Sequence, residues 1–154
     1  MIFSASERIG APRDFVFARA CDFDSLARAV EGRGAVVRAA EGARGAPRFD
    51  MEYPFRNSMW PVSLELHEAM PAEAIRIGLD AAAVSAMAEF DFRAPVPEVT
   101  LVEMTVTLAP KNMQGRLLLG SLHMVRGRVQ ERLDGDLAAL ARAAERLWQA
   151  AAQG

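Results

Sequence analysis

Few residues of this chain have the type and spacing that catalysis or metal binding requires. His67 and His123 are far apart, and neither has a second metal ligand at a suitable spacing on its own element. Ser121 follows Gly120 but lacks the trailing glycine of a nucleophile elbow. Cys21 stands alone on a short apolar segment, where we expect a buried, unreactive thiol. The sequence therefore predicts no catalytic residue and no metal site.

A short glycine pattern, Gly32-Arg33-Gly34, begins like a dinucleotide-binding loop. It lacks the third glycine, and it leads into a strand-like run where a dinucleotide site needs a helix. We interpret it as a turn, and no bound cofactor is expected.

Three polar residues, Tyr53, Thr100 and Glu68, share a strand face with apolar neighbours. A buried hydroxyl or carboxyl group needs a hydrogen-bond partner, which could be a ligand atom, a backbone group or water at the sheet rim. If Glu68 were enclosed, desolvation would raise its pKa and make it a candidate general acid or base. This is the route by which an enzyme would arise here, and the sequence alone does not assign Glu68 that role.

The composition limits the classes of protein to which this chain could belong. The 154 residues are 51% hydrophobic and 25% charged, which indicates a single domain over 1–154 with a sizeable core. A net charge of −2 provides no basic footprint for nucleic acid. The single cysteine suits a reducing compartment. No apolar run approaches the roughly 18 residues of a membrane span, so we expect a cytoplasmic protein without membrane insertion.

The hydrophobic pattern indicates an order of elements. Ile2 to Ile9 alternates as a strand, and two short helices follow, one over Phe15 to Phe23 and one over Leu26 to Val30, with Asp24-Ser25 as the cap. From Arg48 to Leu108 the period is two, with short turns, which predicts antiparallel strands that each have one apolar face.

Residues Met113 to Gly154 are predicted to form one long helix. Its apolar stripe has the helical spacing of threes and fours, and it comprises Leu118, Leu122, Val125, Val129, Leu133, Leu137, Leu140, Ala144 and Leu147. Gly120 and Gly127 lie on the back face beside Leu117 and Met124. Two interpretations remain for this apolar back face: enclosure by the rest of the chain with a bend near Gly120, which we favour, or contact with a second copy in a homodimer.

The order of elements, together with the opening Ile9-Gly10-Ala11-Pro12 through Phe15-Val16-Phe17 to Cys21-Asp22-Phe23-Asp24, resembles the SRPBCC superfamily. This superfamily includes START lipid-transfer domains, polyketide cyclases and the birch-pollen allergen group. The resemblance implies an α+β helix-grip fold of order β-α-α-β-β-β-β-β-β-α, in which a curved antiparallel sheet wraps around a long C-terminal helix. Such proteins commonly hold an apolar ligand between sheet and helix. Their chemistry differs between subfamilies, so no reaction is implied.

The resemblance and the strand pattern together predict a ligand site whose residues are apolar or aromatic and face the helix. These are Phe49, Met51, Tyr53, Leu64, Leu66, Ile77, Phe90, Phe92, Met104, Val106, Leu118, Leu122 and Val125. The same residue types would also fill a closed core.

Three functions are compatible with this pattern. The first is non-catalytic binding or transport of a small hydrophobic molecule, which we favour. The second is an enzyme similar to polyketide cyclases, dehydratases or hydrolases, which requires an acid such as Glu68 or Tyr53 in the cavity. The third is a protein-binding module with an exposed apolar patch around Leu117 and Met124.

Overall fold

The computed structural model describes residues 1–154 and contains seven strands and four helices. Their bounds are β1 (Ile2–Ile9), α1 (Arg13–Ala20), α2 (Phe23–Glu31), β2 (Val36–Glu41), β3 (Pro47–Phe55), β4 (Ser58–Met70), β5 (Ala74–Ala81), β6 (Val84–Val96), β7 (Val99–Pro110), α3 (Met113–Met124) and α4 (Arg126–Gln153). A single 3-10 turn, Ala43–Gly45, connects β2 to β3. None of the four helices has both the length and the apolar composition needed to cross a bilayer.

The seven strands form one antiparallel sheet of order β1-β7-β6-β5-β4-β3-β2. Hairpins join β2 through β7 in sequence, and β1 pairs with the outer edge of β7. The sheet is curved, and side chains on α4 form hydrogen bonds with residues near both edges of the sheet. Gln130 donates to the carbonyl oxygen of Ser4 on β1 at 2.7 Å. Asp136 accepts from Arg33, which precedes β2, at 2.7 Å. The expected helix-grip architecture is therefore confirmed.

The inner face of the sheet carries the alternate apolar residues expected from the sequence. Phe49, Met51, Leu64, Ile77 and Met104 are all buried there. Their burial on one face is what a period of two requires.

The two short helices attach to this face through aromatic pairs. Phe17 on α1 packs edge-on against Phe92, with ring centroids 5.6 Å apart. Phe23 on α2 packs against Phe49 at 5.8 Å. Phe23 begins α2, and Asp22 caps that helix by accepting from the Ser25 amide at 3.1 Å. The expectation that Phe23 ends the first helix, with the cap at Asp24-Ser25, is wrong, because Asp22 accepts this hydrogen bond.

The C-terminal segment is divided into two helices, where the sequence pattern predicted one. The break falls at Val125, whose backbone (φ −113°, ψ 25°) is not helical. α3 packs against β7, and α4 runs along β1. The bend lies at Val125 and not near Gly120. The favoured enclosure of the back face is wrong, because Leu117 and Met124 are 69% and 87% exposed.

The buried face of α4 also differs from the predicted stripe. Leu137 and Ala144 are buried, but Leu140 and Leu147 are 57% and 51% exposed. Ala141, absent from the predicted stripe, is buried. The buried face of α4 is therefore rotated toward Ala141, away from the Leu140 and Leu147 positions of the predicted stripe.

Glu68 does not lie on the inner face as expected. The pairing of β4 with β5 shifts register between Leu66 and Glu68, so that Glu68 pairs with Arg76. An extra residue in one strand moves every following side chain to the other face. Glu68 therefore lies on the outer face, half-exposed, with its carboxylate 3.5 Å from the Arg76 guanidinium.

Candidate functional site

An apolar cavity of about 120 Å³ lies between α1, α4 and strands β1, β6 and β7. Its lining is apolar except for one arginine: Ile9, Val16, Arg19, Ala20, Phe90, Phe92, Val102, Leu137, Leu140, Ala141 and Ala144. This is the position between sheet and C-terminal helix where the sequence predicted a ligand.

Small side chains on the helices produce this space. Ala20 on α1, and Ala141 and Ala144 on α4, face the large rings of Phe90 and Phe92 across the cavity. The space is therefore a gap between small helix side chains and the aromatic residues of β6.

The cavity reaches the surface beside Arg19 and Leu140. Both side chains line it, and both residues are exposed. The Arg19 guanidinium lies 5.8 Å from the centre of the Phe15 ring and 3.9 Å from the Asp22 carboxylate. The mouth thus combines one positive charge with an otherwise apolar wall.

The structure distributes the predicted ligand residues among three environments. Phe90 and Phe92 line the cavity. The other predicted strand residues, Phe49, Met51, Tyr53, Leu64, Leu66, Ile77, Met104 and Val106, belong to the hydrophobic core or pack against it. Leu118, Leu122 and Val125 lie on α3 and at its end, and none of them belongs to that core.

Sequence reasoning missed several lining residues. Leu137 was placed on the helix stripe without a ligand role, whereas Ala141 and Ala144 follow it at four and seven residues. That spacing keeps all three on one helical face, and two alanines there are the available signal for a space. On the sheet side, Ile9 and Val102 were also missed: no residue of β1 was predicted for the ligand site, and on β7 only Met104 and Val106 were.

The polar residues singled out in the sequence do not converge in the cavity. The fully buried Thr100 hydroxyl donates to the carbonyl oxygen of Ala11 at 2.7 Å, so its partner is backbone. The Asp136 carboxylate, and after it the neighbouring Tyr53 hydroxyl, hold the pKa of the Arg33 guanidinium above its ordinary value. Because Glu68 lies on the outer face, it forms no acid–base pair with Tyr53.

The sulfur and imidazole groups also lie away from the cavity. Cys21 ends α1, and burial raises the pKa of its thiol, which disfavours the reactive thiolate. His67 lies on the outer face over Gly78, with Nε2 3.8 Å from the Glu65 carboxylate. His123 is exposed on α3.

A wider groove of about 550 Å³ crosses the outer face, but its chemistry differs. Most of its lining is polar, including Arg48, Ser63, Glu65 and His67. These groups already have partners: Arg48 and the Ser63 hydroxyl both donate to Asp50, and Glu65 accepts from the Ala43 amide. Because the polar groups of this groove are paired within the chain, whereas the cavity between sheet and helix is apolar apart from Arg19, the cavity is the candidate site.

Comparison with known proteins supports the fold and leaves the activity open. No family model and no curated protein sequence matches the chain. Among solved structures, the Zhui aromatase/cyclase from Streptomyces sp. R1128 superposes with a TM-score of 0.69 at 17% identity, covering 95% of this chain and 94% of the other. TTHA0849 from Thermus thermophilus gives 0.69 at 18% identity, covering 94% and 97%. A START superfamily protein from Mycobacterium smegmatis gives 0.55 at 13% identity, covering 87% and 97%. The chain therefore shares the helix-grip fold with these solved structures, as the order of its elements indicated.

Proposed function

We propose that this protein binds a small apolar molecule in the cavity between α1, α4 and the sheet, and that it does so without catalysis. The observation that carries the proposal is the cavity itself, an apolar space walled by Phe90, Phe92 and Ala141. The solved structures of the same fold include a START superfamily protein, which supports binding, and an aromatase/cyclase, which is the observation that favours the enzyme alternative.

The size and lining of the cavity limit the ligand. A dry engineered cavity of about 150 Å³ lined by apolar side chains binds benzene. A cavity of about 120 Å³ therefore suits a single ring or a short branched chain. A polar end of the ligand would lie at the mouth beside the Arg19 guanidinium. A longer molecule would require α4 to move away from the sheet.

The lining also supports binding over catalysis. Arg19 is the one ionisable residue at the cavity, and an arginine stays protonated in proteins. Proton transfer to or from a bound molecule needs a group that titrates near the working pH. Tyr53 and Glu68, the acids considered for the enzyme hypothesis, are not among the lining residues.

Two measurements test the proposal. Organic extraction of the purified protein followed by mass spectrometry should recover a specific apolar compound. Single-ring probes such as benzene and toluene should raise the melting temperature of the empty protein. Recovery of no compound, together with no shift from any probe, would overturn the proposal.

A matched pair of variants locates the site. Ala141→Leu adds three carbons inside the cavity and should abolish probe binding while the fold is kept. Ala139→Leu adds the same group on the exposed side of α4 and should leave binding unchanged. Circular dichroism checks that both variants fold, and equal probe binding by the two would place the ligand elsewhere.

A further inference from the structure

α3 exposes a stripe of large apolar side chains on the face opposite its packed face. Met113, Leu117 and Met124 are 66%, 69% and 87% exposed. Their spacing of four and seven residues places them on one side of the helix, with Gly120 between them and open space around it. On the other side Leu119 is buried. α3 is therefore apolar on both faces, and only one of them is covered.

The sequence around this stripe carries charge of one sign. Every ionised side chain between Met104 and Gln130 is basic, namely Lys111, Arg116, Arg126 and Arg128, although the whole chain has a net charge of −2. Lys111 pairs with Asp80, and Arg126 donates to the carbonyl oxygen of Ile2 at 2.6 Å. Arg116 and Arg128 belong to none of the salt bridges in the chain. Two exposed cations close to the stripe in sequence, one on α3 and one on the first turn of α4, thus have no salt-bridge partner within the chain.

The sheet topology places a second exposed apolar and basic element at the same end of the molecule. In an antiparallel sheet built from consecutive hairpins, alternate connections lie at the same end, so the β3–β4 turn and the start of α3 share one end. At that turn Met59 is exposed, and the Arg56 guanidinium lies 5.3 Å from the centre of the Phe55 ring. This end of the molecule is therefore both basic and apolar.

We propose that the exposed stripe of α3 docks on the surface of a bilayer that contains anionic lipid. A helix in that position buries its apolar side chains at the boundary between headgroups and acyl chains, while flanking arginines bind lipid phosphates and carboxylates. Docking of this kind requires no span and does not depend on the cavity. A symmetric dimer through the same stripe fits less well, because it would bring Arg116 and Arg128 near the same cations of the second copy.

Vesicle flotation of the full chain tests the docking. Vesicles of phosphatidylcholine with 30% phosphatidylserine should carry the protein upward in 0.1 M NaCl. Vesicles of phosphatidylcholine alone should carry at least tenfold less. Raising the salt to 0.5 M should weaken binding to the anionic vesicles, because screening shortens the range of the attraction. Equal binding to the two kinds of vesicle would show that anionic lipid is not required, and this would overturn the proposal.

Two pairs of variants separate the apolar and the basic contributions. Leu117→Gln with Met124→Gln should lower the vesicle partition coefficient at least tenfold, whereas Met70→Gln with Leu147→Gln, which also removes two exposed apolar side chains, should not. Arg116→Gln with Arg128→Gln should lower it about 30-fold, since each basic residue near the surface contributes about fivefold. The control Arg44→Gln with Arg146→Gln removes the same charge from exposed positions elsewhere and should have a much smaller effect.

Several results would contradict docking by α3. One is an equal loss of binding in each variant and its control. Another is a dimer in sedimentation that dissociates in the Leu117→Gln, Met124→Gln variant, since that would assign the stripe to a second copy. The Ala141→Leu variant should keep full vesicle binding, so failure of the ligand proposal and failure of this one are distinguishable. Circular dichroism and melting temperature show whether each variant is folded.

Discussion

Thr100 shows which features of a residue its type and the strand alternation predict in this chain. The period of β7 placed Thr100 on the inner face, where it is fully buried. The partner of its hydroxyl could not be obtained from the pattern, because Ala11 lies 89 positions away and its carbonyl is available only once β1 pairs with β7. Burial of a residue follows from local sequence, whereas a hydrogen bond across the fold follows from tertiary structure.

Replacing Thr100 with valine should destabilise the protein although the shape of the side chain is nearly kept. Thr100→Val leaves the Ala11 carbonyl oxygen without this partner, and an unpaired buried polar group costs about 1 to 3 kcal/mol. Thr100→Ser keeps the hydroxyl and should lose less. Urea unfolding of the three proteins measures the difference, and an equal loss in both variants would show that packing of the methyl group, and not the hydrogen bond, matters at this position.

The Asp50 carboxylate should give the stability a defined pH dependence. The Ser63 hydroxyl, and then the Arg48 guanidinium, hold its pKa below the ordinary value of 3.8. Because the folded state favours the charged form, Asp50 contributes stability above pH 3.8 and loses it as the pH falls through its folded pKa. Asp50→Asn should therefore cost below about 1 kcal/mol at pH 7, since the group is partly exposed. Unfolding free energies from pH 7 to pH 2 should show the two proteins converging, and a constant difference would contradict this account.

At the scale of elements, strands were predicted well and irregularities were not. Alternation over Arg48–Leu108 gave the faces of five strands, because a half-buried strand has a strict period of two. Neither the register shift after Leu66 nor the break at Val125 has a comparable signal. Both follow from where a strand or helix must pack, as at Val125, where α3 leaves β7 and α4 continues along β1.

Two glycines on α3 should respond in opposite directions to the same substitution. A Cβ at Gly115 would overlap the carbonyl oxygen of Ala83, so Gly115→Ala forces α3 away from the β5–β6 turn and should destabilise the protein. A Cβ at Gly120 meets nothing, so Gly120→Ala should stabilise it by about 0.5 to 1 kcal/mol through helix propensity. Thermal unfolding measures both changes, and a loss of stability at Gly120 would mean that this face of α3 is covered in solution.

At the scale of the molecule, the sequence indicated sheet and helix but not the space between them. A cavity depends on the separation of α4 from β6 and β7, and residue types do not give a distance. Phe90 and Phe92 were correctly expected on the inner face, yet Phe49 and Met51, of equally suitable type, lie in the core. The position of the cavity is determined by the small side chains of Ala141 and Ala144, which the sequence pattern did not associate with a ligand.

A ligand of the cavity should stabilise the whole domain. A probe that binds only the folded state at a concentration 100 times its Kd adds about 2.7 kcal/mol. For a chain of this length each kcal/mol corresponds to roughly 2 to 4 °C, so the melting temperature should rise by about 5 to 10 °C. Differential scanning calorimetry measures the rise. The Ala141→Leu variant should show none, and an undiminished rise in that variant would place the probe outside the cavity.

The two edges of the sheet are protected unequally. α4 covers the free carbonyl groups of β1, where Arg126, Gln130 and Arg142 donate to Ile2, Ser4 and Arg8. At the opposite edge, no strand pairs with the outer side of the six-residue β2, which carries Arg38 and Glu41. Uncovered strand edges are templates for pairing with other chains, and short length and charge are common defences. If α4 detached from the sheet, the eight residues of β1 would become an uncovered strand edge to which another chain could pair. The helix that closes the cavity therefore also protects the protein from self-association.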